Sequence, residues 1–485
     1  VYNNIAQVGK TSLPYFSIGA DRTSATGATA LYTELTYDPA SRVVMTTNSV
    51  GTITTDYEDW GITITDPNGK IKNLEKDAFE RLVQVTEHNG SDEYDTEYVY
   101  DTNGNVIKIV DALGNERNFT YDGLNRRTSA EDLHSPSDSS YGTWTYEYDL
   151  AGNLISWTTA AGQVIEQSFD VLNRLTVENY LGSQDMDKVY AYDSCVNGVG
   201  RVCRVTGKDV STEYQYDVLG QMITTQIEIT GENYITTYSY DRQGNQLVVT
   251  NPDGSQVRNL YDLGNQLVAV ATKESGDTDF SGVIERISYH ASGQPEQIEY
   301  TGGSKVENTY SETQQYRLTR KLGTIVENQV PQVIQDISYG YDAVGNILTI
   351  SDLATTNQHS TVYAYDDLHR LTSAQVTRPQ DSYTQTFEYD AIGNMTYNSK
   401  LGVYYYEGDT LSENFANPHA VTRIVDSQNT ETQFTYDQNG NMLTSGEYWQ
   451  YQWTYDNRLS VATEAGVIQK EFLYLYDHTG SRVSS

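Results

Sequence analysis

The chain is poor in almost everything that marks an enzyme or a nucleic-acid binder. Of its 485 residues only two are cysteine, Cys195 and Cys203. Two thiols cannot staple a disulfide-dense scaffold, and with no second pair or histidine beside them they cannot complete a four-ligand zinc site. The seven histidines (His88, His134, His290, His359, His369, His419 and His478) are scattered. No His-Glu-x-x-His and no G-x-S-x-G elbow occurs, so the usual metalloprotease and serine-hydrolase signatures are missing. Basic residues number 31 against 66 acidic ones, a net charge of −35 and a pI near 4.4. Nucleic acid and anionic membrane surfaces both need a basic partner, so neither is expected to bind. No run approaches the roughly 18 apolar residues of a membrane helix, and no membrane insertion by this segment is expected.

What the chain has in excess is tyrosine, 41 residues, and much of it is placed periodically. Tyr100-Asp101, Tyr148-Asp149, Tyr216-Asp217, Tyr240-Asp241, Tyr341-Asp342, Tyr389-Asp390 and Tyr436-Asp437 each open the same short phrase, and each phrase carries a glycine three residues after the aspartate: Gly104, Gly152, Gly220, Gly244, Gly345, Gly393 and Gly440. Steps from Tyr192 to Tyr216 to Tyr240, and from Tyr341 to Tyr365 to Tyr389, are 24 residues; those from Tyr100 to Tyr121 and from Tyr455 to Tyr476 are 21. Self-similarity at this period is the mark of stacked repeats, one strand-turn-strand unit each.

Each unit can be read physically. Aromatics precede the aspartate at alternate positions, as in Tyr98 and Tyr100, Tyr146 and Tyr148, Tyr214 and Tyr216, or Trp453 and Tyr455. A period of two puts both rings on one face of a β-strand. The aspartate ends the strand by offering its carboxylate to backbone N–H groups, and the glycine supplies the positive φ of a tight turn. A second strand follows, as in Asn173-Arg174-Leu175-Thr176. Regular placement makes the rings a cross-strand ladder before it makes them a binding surface. The aspartates are likewise turn formers first. DTNGN at Asp101 and DQNGN at Asp437 lack the downstream glutamate of an EF-hand, so no cofactor is expected; calcium is the one ion considered, chiefly at Asp277 and Asp279 in the inserted ESGDTDFSG.

The phrase Y-D-x-x-G-N/R-x-L resembles the YD repeats of the Rhs family, shared by bacterial Rhs and other polymorphic toxins, the shell-forming part of insecticidal Tc toxins, and the animal teneurins. NPHAVTRI at Asn417–Ile424, followed by YDQNGNMLTSG and WTYDNRLSVA, looks like the run that closes many bacterial arrays. YDSCVNGVGRVCRV, from Tyr192 to Val205, resembles a cysteine-containing repeat of that group. The likeness runs from about Leu31 to Ser485. It implies an all-β fold: a YD-repeat array of antiparallel β-hairpins forming one long twisted sheet that spirals into a hollow shell or barrel. Residues 1–30 form a non-repeat segment, a plug or linker, and residues 31–485 the shell.

Bacterial members usually continue into a core with a D-P-x-G-L motif, where aspartate-driven self-cleavage frees a C-terminal toxin. That motif is nowhere in this sequence, so self-cleavage is not carried over. The chain starts with valine and without a charged-then-apolar leader. It is expected to be an interior piece of a longer, secreted or surface-displayed bacterial polypeptide. Cys195 and Cys203 can face each other across a hairpin through Gly198 and Gly200, forming the disulfide that secretion favours; the alternative is two buried reduced thiols.

Three functions follow from the resemblance and the residues. The first is a structural container that encapsulates and delivers its own downstream toxin domain. A second is an extracellular adhesion protein whose loops bind a glycan or a cell-surface protein, and the third is a polysaccharide-active enzyme. Carboxylates here are too abundant for their presence to argue for catalysis, and the segment is expected not to be an enzyme.

Overall fold

The computed structural model describes residues 7–14, 31–138, 141–183, 187–354, 358–406, 417–466 and 469–484. Most of the 1–30 segment therefore lies outside the described residues, as do residues 407–416. Forty strands belong to one antiparallel sheet; a two-stranded pair, Leu475–Tyr476 with Arg482–Ser484, stands apart from it. One 3-10 turn, Glu312–Gln314, is the sole helical element among the described residues. Part of the segment preceding the repeats is itself a strand, Lys10–Ser12 pairing with Tyr32–Tyr37. The chain divides into two compact units: residues 1–97, 259–272 and 280–388, and residues 98–258, 273–279 and 389–485.

Within each unit strands pair with their neighbours in sequence, as short turns demand. Thr143–Tyr148 pairs with Leu154–Thr158, which pairs with Val164–Phe169, which pairs with Leu175–Leu181. The alternation read from the sequence appears as alternating exposure. Trp144, Tyr146 and Tyr148 are half-buried while Thr143, Thr145 and Glu147 are exposed, and Trp449–Trp453 repeats the pattern. Few residues are fully buried; Tyr180, Ile165 and Val205 are the largest non-polar ones.

Each Tyr-Asp hairpin shifts register at the tyrosine. Gln215 faces Thr224 but Tyr216 faces Met222, and the same bulge recurs at Tyr148, Tyr240, Tyr341, Tyr365 and Tyr436. Bulges bend a strand and raise its twist. Pairing of Met222–Ile229 with the next strand begins only at Thr224, opposite Thr237. Met222 is thus outside that ladder, and adjacent hairpins part near their Tyr-Asp ends.

Candidate functional site: a ladder of turns and an ion cluster between rims

The signature aspartate organises its own turn. Asp101 Oδ1 accepts the N–H groups of Asn103 and Asn105, both at 2.9 Å, and Oδ2 accepts Asn105 Nδ2 at 2.8 Å. The backbone closes around them through Asp101 N–H to Asn105 O and Gly104 N–H to Asp101 O. The arrangement repeats at Asp149, Asp217, Asp241, Asp342, Asp390 and Asp437. Hydrogen bonding to the charged form, led by the asparagine amide, holds the Asp101, Asp149 and Asp241 carboxyls below the usual aspartate range. Gly152 at φ +93° takes the left-handed position, and Asn125, Asn173 and His369 take it in sister turns. Asparagine tolerates that region, which is why the phrase ends in Gly-Asn or in Asn-Arg.

The tyrosine hydroxyl explains why the ring is tyrosine. Tyr216 donates to Val202 O (2.7 Å), Tyr240 to Met222 O (2.8 Å), Tyr341 to Leu318 O (2.7 Å) and Tyr436 to Val421 O (2.8 Å). Val202 and Met222 begin the strand after the previous Tyr-Asp turn and Leu318 is the second residue of its strand, the place where hairpins part. Repeats with tyrosine at this position therefore tie themselves to their predecessors by a hydroxyl, and Trp453 does so by its indole N–H, donated to Met442 O at 2.7 Å. The expected ladder of rings is mostly this hydroxyl-to-carbonyl ladder; ring-on-ring pairs such as Tyr339–Tyr341, 6.5 Å between centroids, are few among the described residues.

The residue closing the turn makes a second tie. Asn153 Nδ2 donates to Asn173 Oδ1 of the next turn at 3.1 Å, and Asn441 Nδ2 to Asn457 Oδ1 at 2.8 Å. Where that residue is arginine, it donates to the next turn and lies over the next tyrosine. Arg126 reaches Asp149 O (2.7 Å) with its guanidinium 4.8 Å from the Tyr148 ring; Arg317 reaches Asp342 O (2.6 Å) and covers Tyr341. The signal for this tie was in the sequence, as the recurrence of Asn or Arg at one turn position.

The sheet has two rims: the Tyr-Asp turns on one, the connecting turns on the other. Rims meet across long sequence separations. In the first unit, Asn68 Nδ2 donates to Asp342 Oδ2 at 2.9 Å and His369 Nε2 lies 2.8 Å from Asp66 Oδ2. In the second, Asn439 Nδ2 donates to Gln163 Oε1 at 2.9 Å, and Lys188 Nζ lies 2.8 Å from Asp456 Oδ2 and 2.9 Å from Glu178 Oε1. Tyr180 is 1 % exposed, and its hydroxyl sits 2.5 Å from both Glu178 and Asp456 while accepting from Lys188. Burial, then these two carboxylates, push the phenol far above its ordinary value.

This cluster borders two cavities of about 310 and 370 Å³ in the same unit, lined by Trp144, Trp157, Tyr190, Tyr455, Arg458 and His478 among others. Burial lowers the His478 pKa and pushes Tyr190 and Tyr214 up to about 12, so all three are uncharged at neutral pH. Lys188 is already shared among two carboxylates and a phenol, so the cluster is built to tie rims together. Cys195 and Cys203 are bonded, Cα atoms 5.4 Å apart, within a Tyr-Asp turn. Among the described residues no group of three or more His, Cys, Asp or Glu side chains is disposed to hold a metal ion. Asp277 and Asp279 lie in a loop where Thr278 Oγ1 donates to Asp279.

The comparisons agree with this architecture. Residues 21–165 match the family model described as Teneurin YD-shell. Two toxin subunits of Yersinia entomophaga are similar to the chain: YenC2, 29% identical over 188 residues, and YenC1, 30% identical over 182. These matches cover 31% and 34% of this chain but only 19% and 18% of the relatives. Among solved structures, the TcdB2-TccC3 crystal structure superposes with a TM-score of 0.81 at 17% identity, covering 99% of this chain and 28% of that one. TcdB2-TccC3-Cdc42 gives 0.80 at 18% identity over 99% of this chain and 27% of that one. The Photorhabdus luminescens Tc holotoxin pore gives 0.76 at 17% identity, covering 93% and 25%. In its repeated Tyr-Asp turns and its one antiparallel sheet the chain is similar to YD-shell proteins, in sequence over residues 21–165 and in fold over nearly its whole length.

Proposed function

We propose that these repeats form part of the wall of a container that encloses a toxic domain of the same polypeptide and carries it out of a bacterium. The observation that carries this reading is the fold likeness over 99% of the chain to TcdB2-TccC3, joined to relatives that are toxin subunits. The wall does no chemistry of its own. Its signature carboxylates are spent on their own turns and Lys188 on two carboxylates. A bonded Cys195–Cys203 pair suits a secreted protein. The partners are accordingly the enclosed cargo and other subunits of a toxin complex.

The test is the natural polypeptide. Its intact mass and the sequence following Ser485 are expected to reveal a core segment and a further domain. Limited proteolysis of the native protein is expected to leave that domain uncut until the wall is denatured. A further domain cut as fast in the native protein as after denaturation, or no further domain at all, would overturn the container. An exterior that retains immobilised glycan or cell-surface protein would then favour adhesion.

A further inference from the structure

The second unit carries a stripe of exposed aliphatic side chains along its Tyr-Asp rim. Leu124, Leu150, Val171, Leu172, Val218 and Leu219 are 68 to 104 % exposed, and all occupy the two tip positions after the turn aspartate. Their turns, with the Asp193–Arg201 turn before the last of them, stand in a row held by lateral ties: Arg126 to Asp149, Asn153 to Asn173, Arg174 to Asp193 and Asn197 to Tyr216 O. The side chains therefore form one continuous strip. At 60–120 Å² for a fully exposed Val or Leu, six of them present roughly 300–700 Å² of apolar surface, the size of the largest patch on an ordinary monomer.

The same tip position looks different where a rim is covered. Leu368, in the turn Asp366–Arg370 of the first unit, matches Leu172 and Leu219 position for position but is only half-buried rather than exposed. Its neighbour Asp367 accepts the N–H of Gly90 at 3.0 Å and pairs with Lys70. Rim contacts in both units have one sense. A Tyr-Asp turn receives a connecting turn, or the strand end beside it, from 274 to 303 residues earlier: Asp456 from Tyr180, Asn439 from Ala161, Asp342 from Asn68, His369 from Asp66. Applied to turns 122–221, that rule puts the covering turns before residue 1.

We infer that this aliphatic rim is the docking edge for the connecting turns of further YD repeats, encoded upstream of Val1 in the natural polypeptide. The matched relatives are several times longer than the matched region, so chain enough exists outside it in proteins of this kind. The occupant needs small or apolar tips to meet Leu and Val side chains, with an amide or hydroxyl to meet the turn backbones. Ala161 and Gln163 supply those groups at the covered junction in this unit. The docking is independent of whatever the wall encloses.

Thiol accessibility tests it in the full-length natural polypeptide, where bonded Cys195 and Cys203 leave no competing thiol in this segment. Leu150→Cys and Val218→Cys, two rim positions, are compared with Val189→Cys, 48 % exposed in the middle of a strand. Rim thiols are expected to react with a maleimide at least tenfold more slowly than the strand thiol, and to catch up once the protein is unfolded. A photo-crosslinking side chain at position 150 is expected to join a peptide from before Val1. Equal labelling rates, a crosslink to a second copy or to another polypeptide, or a natural chain with no repeats upstream would each overturn the inference. Variants that fail to fold are recognised by strand content, and rim positions Leu124 and Leu219 then replace them.

Discussion

Tyr240→Phe removes a single oxygen and isolates the tie between repeats. Its hydroxyl donates to Met222 O at 2.8 Å, and Met222 lies outside the ladder that joins its strand to the next. Little else competes for that carbonyl except water, and the ring is half-buried, so water can partly replace the hydroxyl. The loss is then that of an ordinary neutral hydrogen bond, about 0.5–1.5 kcal/mol. Because repeats exchange contacts mainly with neighbours, the effect should stay local. Hydrogen exchange of amides in the strands Met222–Ile229 and Glu232–Tyr240 is expected to quicken about 2- to 13-fold, the same energy expressed as a ratio. Exchange around Tyr436, whose hydroxyl bonds Val421 O, should not change. Phe169 occupies the tyrosine position of its own repeat, so Phe169→Tyr is the reverse experiment and should slow exchange locally. Unchanged exchange in Tyr240→Phe would mean that ring packing alone joins the repeats, and the hydroxyl ladder would be wrong.

Lys188→Met leaves Glu178 and Asp456 facing each other around Tyr180, and should cost about 3 kcal/mol or more in thermal or denaturant unfolding. Adding Asp456→Asn should return part of that loss, because the two residues share one cluster. Replacing both cysteines by serine should destabilise the chain by about 2–3 kcal/mol from loop closure alone, and abolish any dependence of the melting temperature on reductant. The turn carboxyls of Asp101, Asp149, Asp170 and Asp241 are lowered in the folded chain by hydrogen bonds from their own turns. A depressed folded value contributes stability above the unfolded value, near 3.8, and loses it as the pH falls through the folded one. Melting temperature should thus vary little from these groups between pH 5 and 7 and drop below about pH 4; a rise on acidification below pH 4 would contradict the turn chemistry.

Much of this architecture is local and was therefore legible. Alternating rings and the Asp-x-x-Gly-Asn phrase each act within one hairpin, so pattern alone places Tyr148 on a strand and Gly152 at its turn. The hydroxyl acceptors were not legible, because Tyr240 bonds a carbonyl 18 residues away whose availability depends on a bulge. The rim contacts were still further from view. Lys188 and Asp456 meet across 268 residues, and neither stands in a local pattern that distinguishes it from other charged residues. The Asn or Arg closing each turn was visible, but its partner in the next turn appears only when turns stand side by side.

The hydroxyl ladder and the two unlike rims also limit how such a chain can change length. Inserting one strand would reverse the run of every later strand and send every later Tyr-Asp turn to the opposite rim, breaking the rim contacts beyond the insertion at once. Inserting two strands restores the rims. Growth of the wall is therefore quantised in whole hairpins: steps of 21, 24 and 27 residues, as from Tyr100 to Tyr121, Tyr216 to Tyr240 and Tyr121 to Tyr148, differ by strand and turn length but not by a strand.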